Sequence, residues 1–503
     1  MTTSTIEPLE PADADVAAPQ ARGRGSHAAR WWILGVLALS QLMVVLDATV
    51  VNIALPAAQR SLEFSDADRQ WVVTAYALAF GSLLLLGGRL SDLFGRRTTF
   101  LIGLSGFAIA SAVGGAATSF EMLVAARAGQ GVFGALLAPA ALSLLTVTFT
   151  EPKERAKAFG VFGAIAGAGG AIGLLLGGML TEWASWRWAM YVNLIFAAVA
   201  IVGAALLLAK HVTTDRPKLD IPGTLTVTAA LFSIVYGFSQ AESQGWGDSS
   251  TISWLGAGTV LLAAFVYLQS RVANPLLPLR IVLDRTRGAS YLAVFIVGAG
   301  MFAVFLFLTY YMQLILGFTP IMTGVAFLPM VAAMIASSVT SSQALLPRFG
   351  ARVLMTAGLL IGALGMGLLT QIEVDSSYAL HILPGLVLMG LGLGASMATA
   401  FQGATSALAH EDAGVASAMV NTSQQVGGSI GTALLSTIAA SAAASFASGK
   451  AVNELTAMQA AVSSYSATFW WATFIFLGGA VLTAVLLPNG VPEPSEGEPV
   501  IAH

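Results

Sequence analysis

The chain has 503 residues, 56% of them hydrophobic and 10% charged, with a formal net charge of −3. About a quarter of an ordinary soluble domain is charged, so a water-soluble globule is excluded. With no cysteine and five scattered histidines that form no ligand-spaced pair, thiol chemistry is excluded and no metal or cofactor is expected.

Residues 1–30 are polar, acidic first and then basic at Arg22, Arg24 and Arg30, and read as a disordered tail. A helix crosses a hydrocarbon core about 30 Å thick with roughly 20 apolar residues. Such stretches follow at 31–54, 71–90, 99–118, 120–148, 157–180 and 187–209, then as a pair at 221–240 and 252–270. Six more come at 288–316, 320–346, 351–371, 378–403, 413–440 and 467–487, before a tail at 488–503. The expected fold is an all-α integral membrane protein with fourteen transmembrane helices; a β-barrel would show short alternating strands. The first stretch is too long for the apolar core of a signal peptide and lacks a cleavage site after it. Ser441–Ser466 is left open between an outer loop and an interfacial helix.

With fourteen spans, one side receives 18 of the 23 Lys and Arg and the other side four, with Arg127 inside a span. Positive charge accumulates on the cytoplasmic side, so both termini are expected there, in a bacterial cytoplasmic membrane. All ten tryptophans fall at or near the ends of these spans, as an interfacial belt requires.

The chain repeats itself. At an offset of 258, Gly169, Gly170, Ile172 and Gly173 match Gly427, Gly428, Ile430 and Gly431. Phe94-Gly95-Arg96-Arg97 is echoed by Phe349-Gly350-Ala351-Arg352. The division expected is two six-helix pseudo-repeats, 31–210 and 288–487, flanking a two-helix insert with its linkers at 211–287. Parallel repeats around a midplane site are a transporter plan in which the halves rock. The bland alternative is a duplicated scaffold without transport.

Asp47 and Arg127 are lone charges inside apolar stretches. A charge at mid-helix costs about 2.5–3.5 kcal/mol on insertion scales and rarely persists without a partner or a task. Counted from the outer helix ends at about 1.5 Å per residue, both lie roughly 10 Å deep. At one level and of opposite sign, they can neutralise each other. Asp47 is then a proton carrier, ionised beside Arg127 and protonated when the pair is separated. The alternative is a static ion pair holding two helices together.

The motifs around these residues resemble the major facilitator superfamily, in its fourteen-helix drug:proton antiporter branch. Leu46-Asp47-Ala48-Thr49-Val50-Val51-Asn52 looks like that branch's first-helix signature. Gly88-Arg89-Leu90-Ser91-Asp92-Leu93-Phe94-Gly95-Arg96-Arg97 matches the loop motif after the second helix, and Arg127-Ala128-Gly129-Gln130-Gly131 resembles the fourth-helix motif. Gly169-x-x-x-Gly173-Leu174-x-x-Gly177-Gly178 matches the antiporter motif, except that Leu174 replaces its proline and so removes a kink.

The resemblance implies a major facilitator fold, a proton role for Arg127, and a conformational latch at Gly88, Asp92, Gly95, Arg96 and Arg97. Arg96 and Arg97 alternatively serve only to fix orientation. For Gly169, Gly173, Gly177 and Gly178 the resemblance implies a leak-proof seam between the halves; generic close packing is the other reading.

Candidates for the substrate path are Gln41, Asn52, Tyr76, Tyr310, Gln313, Asn421 and Gln425, with Asn193, Tyr311 and Gln402 beside them. They suit an amphipathic organic molecule, with few polar groups among many Phe and Met. The helix-13 amides alternatively make interhelical hydrogen bonds. No phosphate-binding loop appears, so the energy source is expected to be an ion gradient. The expected function is proton-coupled drug or antibiotic efflux by a monomer, not an enzyme and without nucleic acid. Within that class, an actinomycete's self-resistance pump for a puromycin-type compound is expected. The alternatives are transport of an ordinary metabolite and a non-transport membrane protein.

Overall fold

The computed structural model describes residues 27–65, 68–149, 151–208, 220–272, 275–405, 413–450 and 453–489. The tails expected at 1–30 and 488–503 therefore lie almost entirely outside the described residues, as does the side chain of Asp92. Among the described residues there is no strand. The helices are α1 (His27–Leu62), α2 (Arg69–Phe94), α3 (Arg96–Gly115), α4 (Phe120–Thr148), α5 (Pro152–Trp183) and α6 (Trp188–Leu207). Next come α7 (Ile221–Gln244) and α8 (Ser249–Gln269). After the single turn Leu279–Val282 follow α9 (Arg285–Tyr310), α10 (Pro320–Thr340), α11 (Leu346–Leu369), α12 (Leu383–Thr405), α13 (Ala413–Ala447) and α14 (Glu454–Leu486).

Eleven stretches among the described residues pass a test of length and hydropathy for crossing a membrane. The count differs from fourteen for identifiable reasons. One stretch, Pro320–Leu369, runs through α10 and α11 with a sharp bend at Gly350, and α2 and α5 are absent from the eleven.

Three π turns, Tyr311–Ile315, Ser341–Leu345 and Tyr378–Ile382, extend α9, extend α10 and precede α12. The segment left open at 441–466 is largely helical: α13 runs on to Ala447, and Asn453 caps α14 by accepting from the Thr456 amide at 2.8 Å. The last helix thus begins at Glu454, well before the apolar run that marked it in the sequence.

The packing repeats as the sequence does. In the first six helices α1 lies on α5 and α6, α4 on α2 and α3, and α3 on α6; α9 likewise lies on α13 and α14, α12 on α10 and α11, and α11 on α14. The two sets meet along two related seams, α2 with α13 and α5 with α10. The insert is not between them: α7 lies over the first seam, touching α2, α13 and α8. α8 is the least buried of the apolar stretches, and Val260, Leu262 and Val266 point outward.

Gly95 and Gly350 occupy equivalent bends, with φ of 87° and 76°. Left-handed backbone of this kind is open to glycine and strained for any residue with a Cβ. Replacing Gly350 with Ala is expected to cost about 1–3 kcal/mol, read as a lower unfolding midpoint in detergent.

Candidate functional site: a buried charge network

Asp47 on α1 and Arg127 on α4 are buried, at 0% and 1% exposed. Nη1 of Arg127 donates to Oδ2 of Asp47 at 2.5 Å. Gln130, one turn further along α4, accepts from the same Nη1 at 2.8 Å. Its amide nitrogen donates to Oδ1 of Asp47 at 2.8 Å and lies 2.8 Å from the Ser111 hydroxyl of α3. Asn193 of α6 gives Oδ1 a second donor at 2.7 Å, the third to the carboxylate as a whole. Nε of Arg127 donates to the carbonyl of Val72 on α2 at 3.0 Å, and the guanidinium lies 4.4 Å from the Tyr76 ring centroid. Five helices of one half converge on a single carboxylate.

A buried charge persists only when paired and hydrogen-bonded, and here both conditions are met. Arginine stays protonated in proteins, and amides and hydroxyls do not titrate near neutral pH. Among Asp47 and the partners that donate to it, the carboxylate alone can exchange a proton.

Gln130 stood in the quoted motif without an assigned role. Asn193, expected on a cavity wall, is instead a donor to Asp47. The signal was available, since Asn193 is the lone amide in α6, as Asp47 is the lone acid in α1. Ser111 and the Val72 carbonyl carried no such signal.

The candidate path residues separate. Tyr76 belongs to the charge network. Tyr310 donates to Oε1 of Gln59 at 2.7 Å, and Gln313 donates to the Ile53 carbonyl at 3.2 Å. Both ties join α9 and its π turn to the far end of α1, the end opposite the α2–α3 bend. Glu182 of α5 accepts from the Ile321 amide of α10 at 3.2 Å on the other seam. Tyr311 donates to the Glu373 carbonyl at 2.6 Å. Asn52 donates to the Ala48 carbonyl of its own helix at 2.8 Å. Gln41 and Asn421 are half-buried, Gln402 is exposed, and Gln425 keeps a buried Oε1 with no hydrogen-bond partner among the described residues.

The glycine row also divides. Gly169, Gly173 and Gly177 face Val45, Thr49 and Val50, so they seat α1 against α5 within one half. Gly178 alone of the four faces Ile321 of α10 across the seam. A four-residue spacing defines a face but not which neighbour it meets. Gly427 and Gly431 repeat the inner arrangement against Phe295 and Ala299 of α9.

At the α2–α3 bend, Arg97 donates to the Ala205 carbonyl of α6 at 3.0 Å, Arg96 is half-buried, and Gly88 lies against Pro139. A contact unassigned from sequence joins this region to the insert's linker, where Arg89 donates to the Pro275 carbonyl at 3.1 Å. Buried Asp220 fixes that linker by accepting from Gln269 Nε2 at 2.6 Å, while Gln269 accepts from the Leu277 amide at 2.9 Å.

The Major Facilitator Superfamily model matches residues 37–432. The puromycin resistance protein pur8 of Streptomyces alboniger is 48% identical over 468 residues, covering 93% of each chain. The cephamycin export protein CmcT of Amycolatopsis lactamdurans is 40% identical over 405 residues, 80% of this chain and 83% of that protein. In fold, the chain is similar to an inward-facing, unoccupied bacterial homolog of the human lysosomal transporter Spinster. The TM-score is 0.63 at 17% identity, over 92% of this chain and 98% of the other.

Proposed function

This chain belongs to the Major Facilitator Superfamily, and on that footing we propose that it is a drug-efflux transporter driven by protons carried on Asp47. The observation that supports the drive is the buried network: a carboxylate in an apolar bundle, paired with a permanent cation and held by two amides. An ordinary core has no use for such an assembly, because a buried ion pair is poor value as a stabiliser compared with packed hydrophobic residues.

The far end of the bundle is closed in this form, and Asp47 is paired. A shift within the first half, driven as the halves rearrange, that draws Arg127 of α4 away from α1 removes the cation from the carboxylate, which then takes up a proton. Return to the paired form releases it. By linkage, the access state that pairs Asp47 is the one that discharges H⁺. Both termini facing the cytoplasm make this discharge inward and drug movement outward, in a bacterial cytoplasmic membrane. The cargo is an amphipathic organic compound of the antibiotic class exported by the relatives. Gln41, Asn421 and Gln425 remain the candidates to contact it, with the free Gln425 Oε1 suited to a donor on the drug. The transporter acts as a monomer.

The test is puromycin accumulation in inverted membrane vesicles with an imposed pH gradient, acid inside. Accumulation that collapses with an uncoupler is expected. Accumulation indifferent to the gradient would refute proton drive. A nutrient taken up instead, with no change in tolerance to any drug, would favour metabolite transport.

A further inference from the structure

We propose that Arg69 is the bolt of a far-end gate, and that Arg127 ties this gate to the charge on Asp47 through the carbonyl of Val72. The tie rests on the proton-carrier reading of Asp47; the gate itself does not. Arg69 is the first residue of α2, and its guanidinium lies 4.1 Å from the ring centroid of Tyr310 on α9. The hydroxyl of the same ring donates to Gln59 of α1. One aromatic side chain of the second half is thus gripped on its face and at its hydroxyl by two helices of the first. A cation over a desolvated ring and a buried phenol hydrogen bond both favour the closed arrangement.

Val72 lies three residues beyond Arg69, in the first turn of α2. Its carbonyl receives Nε of Arg127, while Nη1 of the same planar group is held by Asp47. Charge-assisted hydrogen bonds are roughly twice as strong as neutral ones, and the guanidinium fork is rigid, so its two ends cannot adjust separately. Once Asp47 is neutral, its hold on Nη1 weakens and the guanidinium is free to turn, which takes Nε from Val72. The tip of α2 then loses a tether one turn from the bolt.

The packing leaves space for that movement. A small apolar void adjoins Val72, with Val51, Leu55, Leu123, Trp186 and Met190 among its walls. Protein interiors are close-packed, so a void beside the tether marks a place where a helix tip can shift.

The chain has no cysteine, so a single introduced thiol reports the gate directly. Ala54 lines the void and is 3% exposed. Ser61, exposed at the far end, supplies a reference thiol for orientation and surface expression. Intact cells carrying Ala54→Cys are treated with a membrane-impermeant maleimide. Labelling is expected to be slow in the otherwise native chain. It should rise about fivefold or more with Arg69→Ala, with Asp47→Asn and with Arg127→Lys. Lysine keeps a cation for Asp47 but lacks the Nε–H that holds Val72, so it tests the tether apart from the ion pair.

Unchanged labelling in Arg69→Ala overturns the gate. A response to Arg69→Ala with none to Asp47→Asn or Arg127→Lys overturns the tie. If Asp47→Asn does not reach the membrane, as the Ser61→Cys reference would report, Arg127→Lys decides. Labelling requires no proton transport. A responsive gate in a protein whose export ignores the pH gradient would therefore sink the proton reading and leave the gate standing.

Discussion

Asp47→Asn is expected to abolish export driven by a pH gradient while the protein still reaches the membrane. It also leaves Arg127, 1% exposed, as a buried cation whose remaining partners are the neutral Val72 carbonyl, Gln130 and the Tyr76 ring. Breaking a buried pair from one side costs about 3–5 kcal/mol, because the surviving charge is uncompensated. The mirror change Arg127→Gln strands the carboxylate and should cost a similar amount. The double variant removes both charges and should lie closer to the native protein than the two single losses summed, since residues in one network couple by about 0.5–3 kcal/mol. Thermal unfolding in detergent measures the cycle, and vesicle efflux measures transport. Stability should recover in the double variant and export should not. Gradient-driven export retained by Asp47→Asn would end the proton assignment, and strictly additive stability losses would show that the two side chains are not energetically coupled.

The second large effect concerns two glycines on one helix. A Cβ at Gly178 would sit 2.7 Å from both the Ile321 Cα and the Pro320 carbonyl of α10. These are backbone atoms across the seam between the halves, and they cannot turn aside. Gly178→Val should therefore disfavour the closed far end by about 1–3 kcal/mol, roughly a 5- to 150-fold shift between access states. Packing within each half is untouched, so the unfolding midpoint should hold while drug tolerance falls. At Gly173 the Cβ would meet the Thr49 hydroxyl at 1.9 Å and the Leu46 carbonyl at 3.2 Å, both on α1 of the same half. Gly173→Val should lower the amount of folded protein and spare the turnover of what folds. Identical behaviour of the two variants would refute this division of the glycine row.

The spans were legible because lipid admits only backbone that satisfies its own hydrogen bonds, which forces long apolar runs on the sequence. The start of the last helix was not legible for the converse reason. Its first turns run through Glu454, Ser463 and Ser464, a stretch without the apolar run by which a span is recognised. The repeat was legible at Gly95 and Gly350, where one backbone conformation demands one residue type twice. Asp47 and Arg127 stood out because charge is expensive in hydrocarbon. Their neighbours did not: a serine or glutamine in an apolar helix is common, and the Val72 carbonyl belongs to a residue that advertises nothing. The ties that Tyr310 and Gln313 make to α1 were not legible, since rotation about a helix axis does not follow from hydropathy. The π turn at Tyr311–Ile315 shifts that rotation, and it left no mark in the hydropathy pattern.

The insert has a mechanical consequence. α7 rests on α2 and on α13 together, Thr228 donates to the Ser82 carbonyl at 3.1 Å, and Val415 and Met419 of α13 pack on the insert's cluster of Val227, Phe265, Leu276 and Leu277. One flank of the molecule is thereby spliced across the dividing line, and among the described residues no helix of the insert covers the α5–α10 flank. Both seams hold the halves together, but the first carries an extra brace, so the wider travel between the halves is expected along the α5–α10 seam.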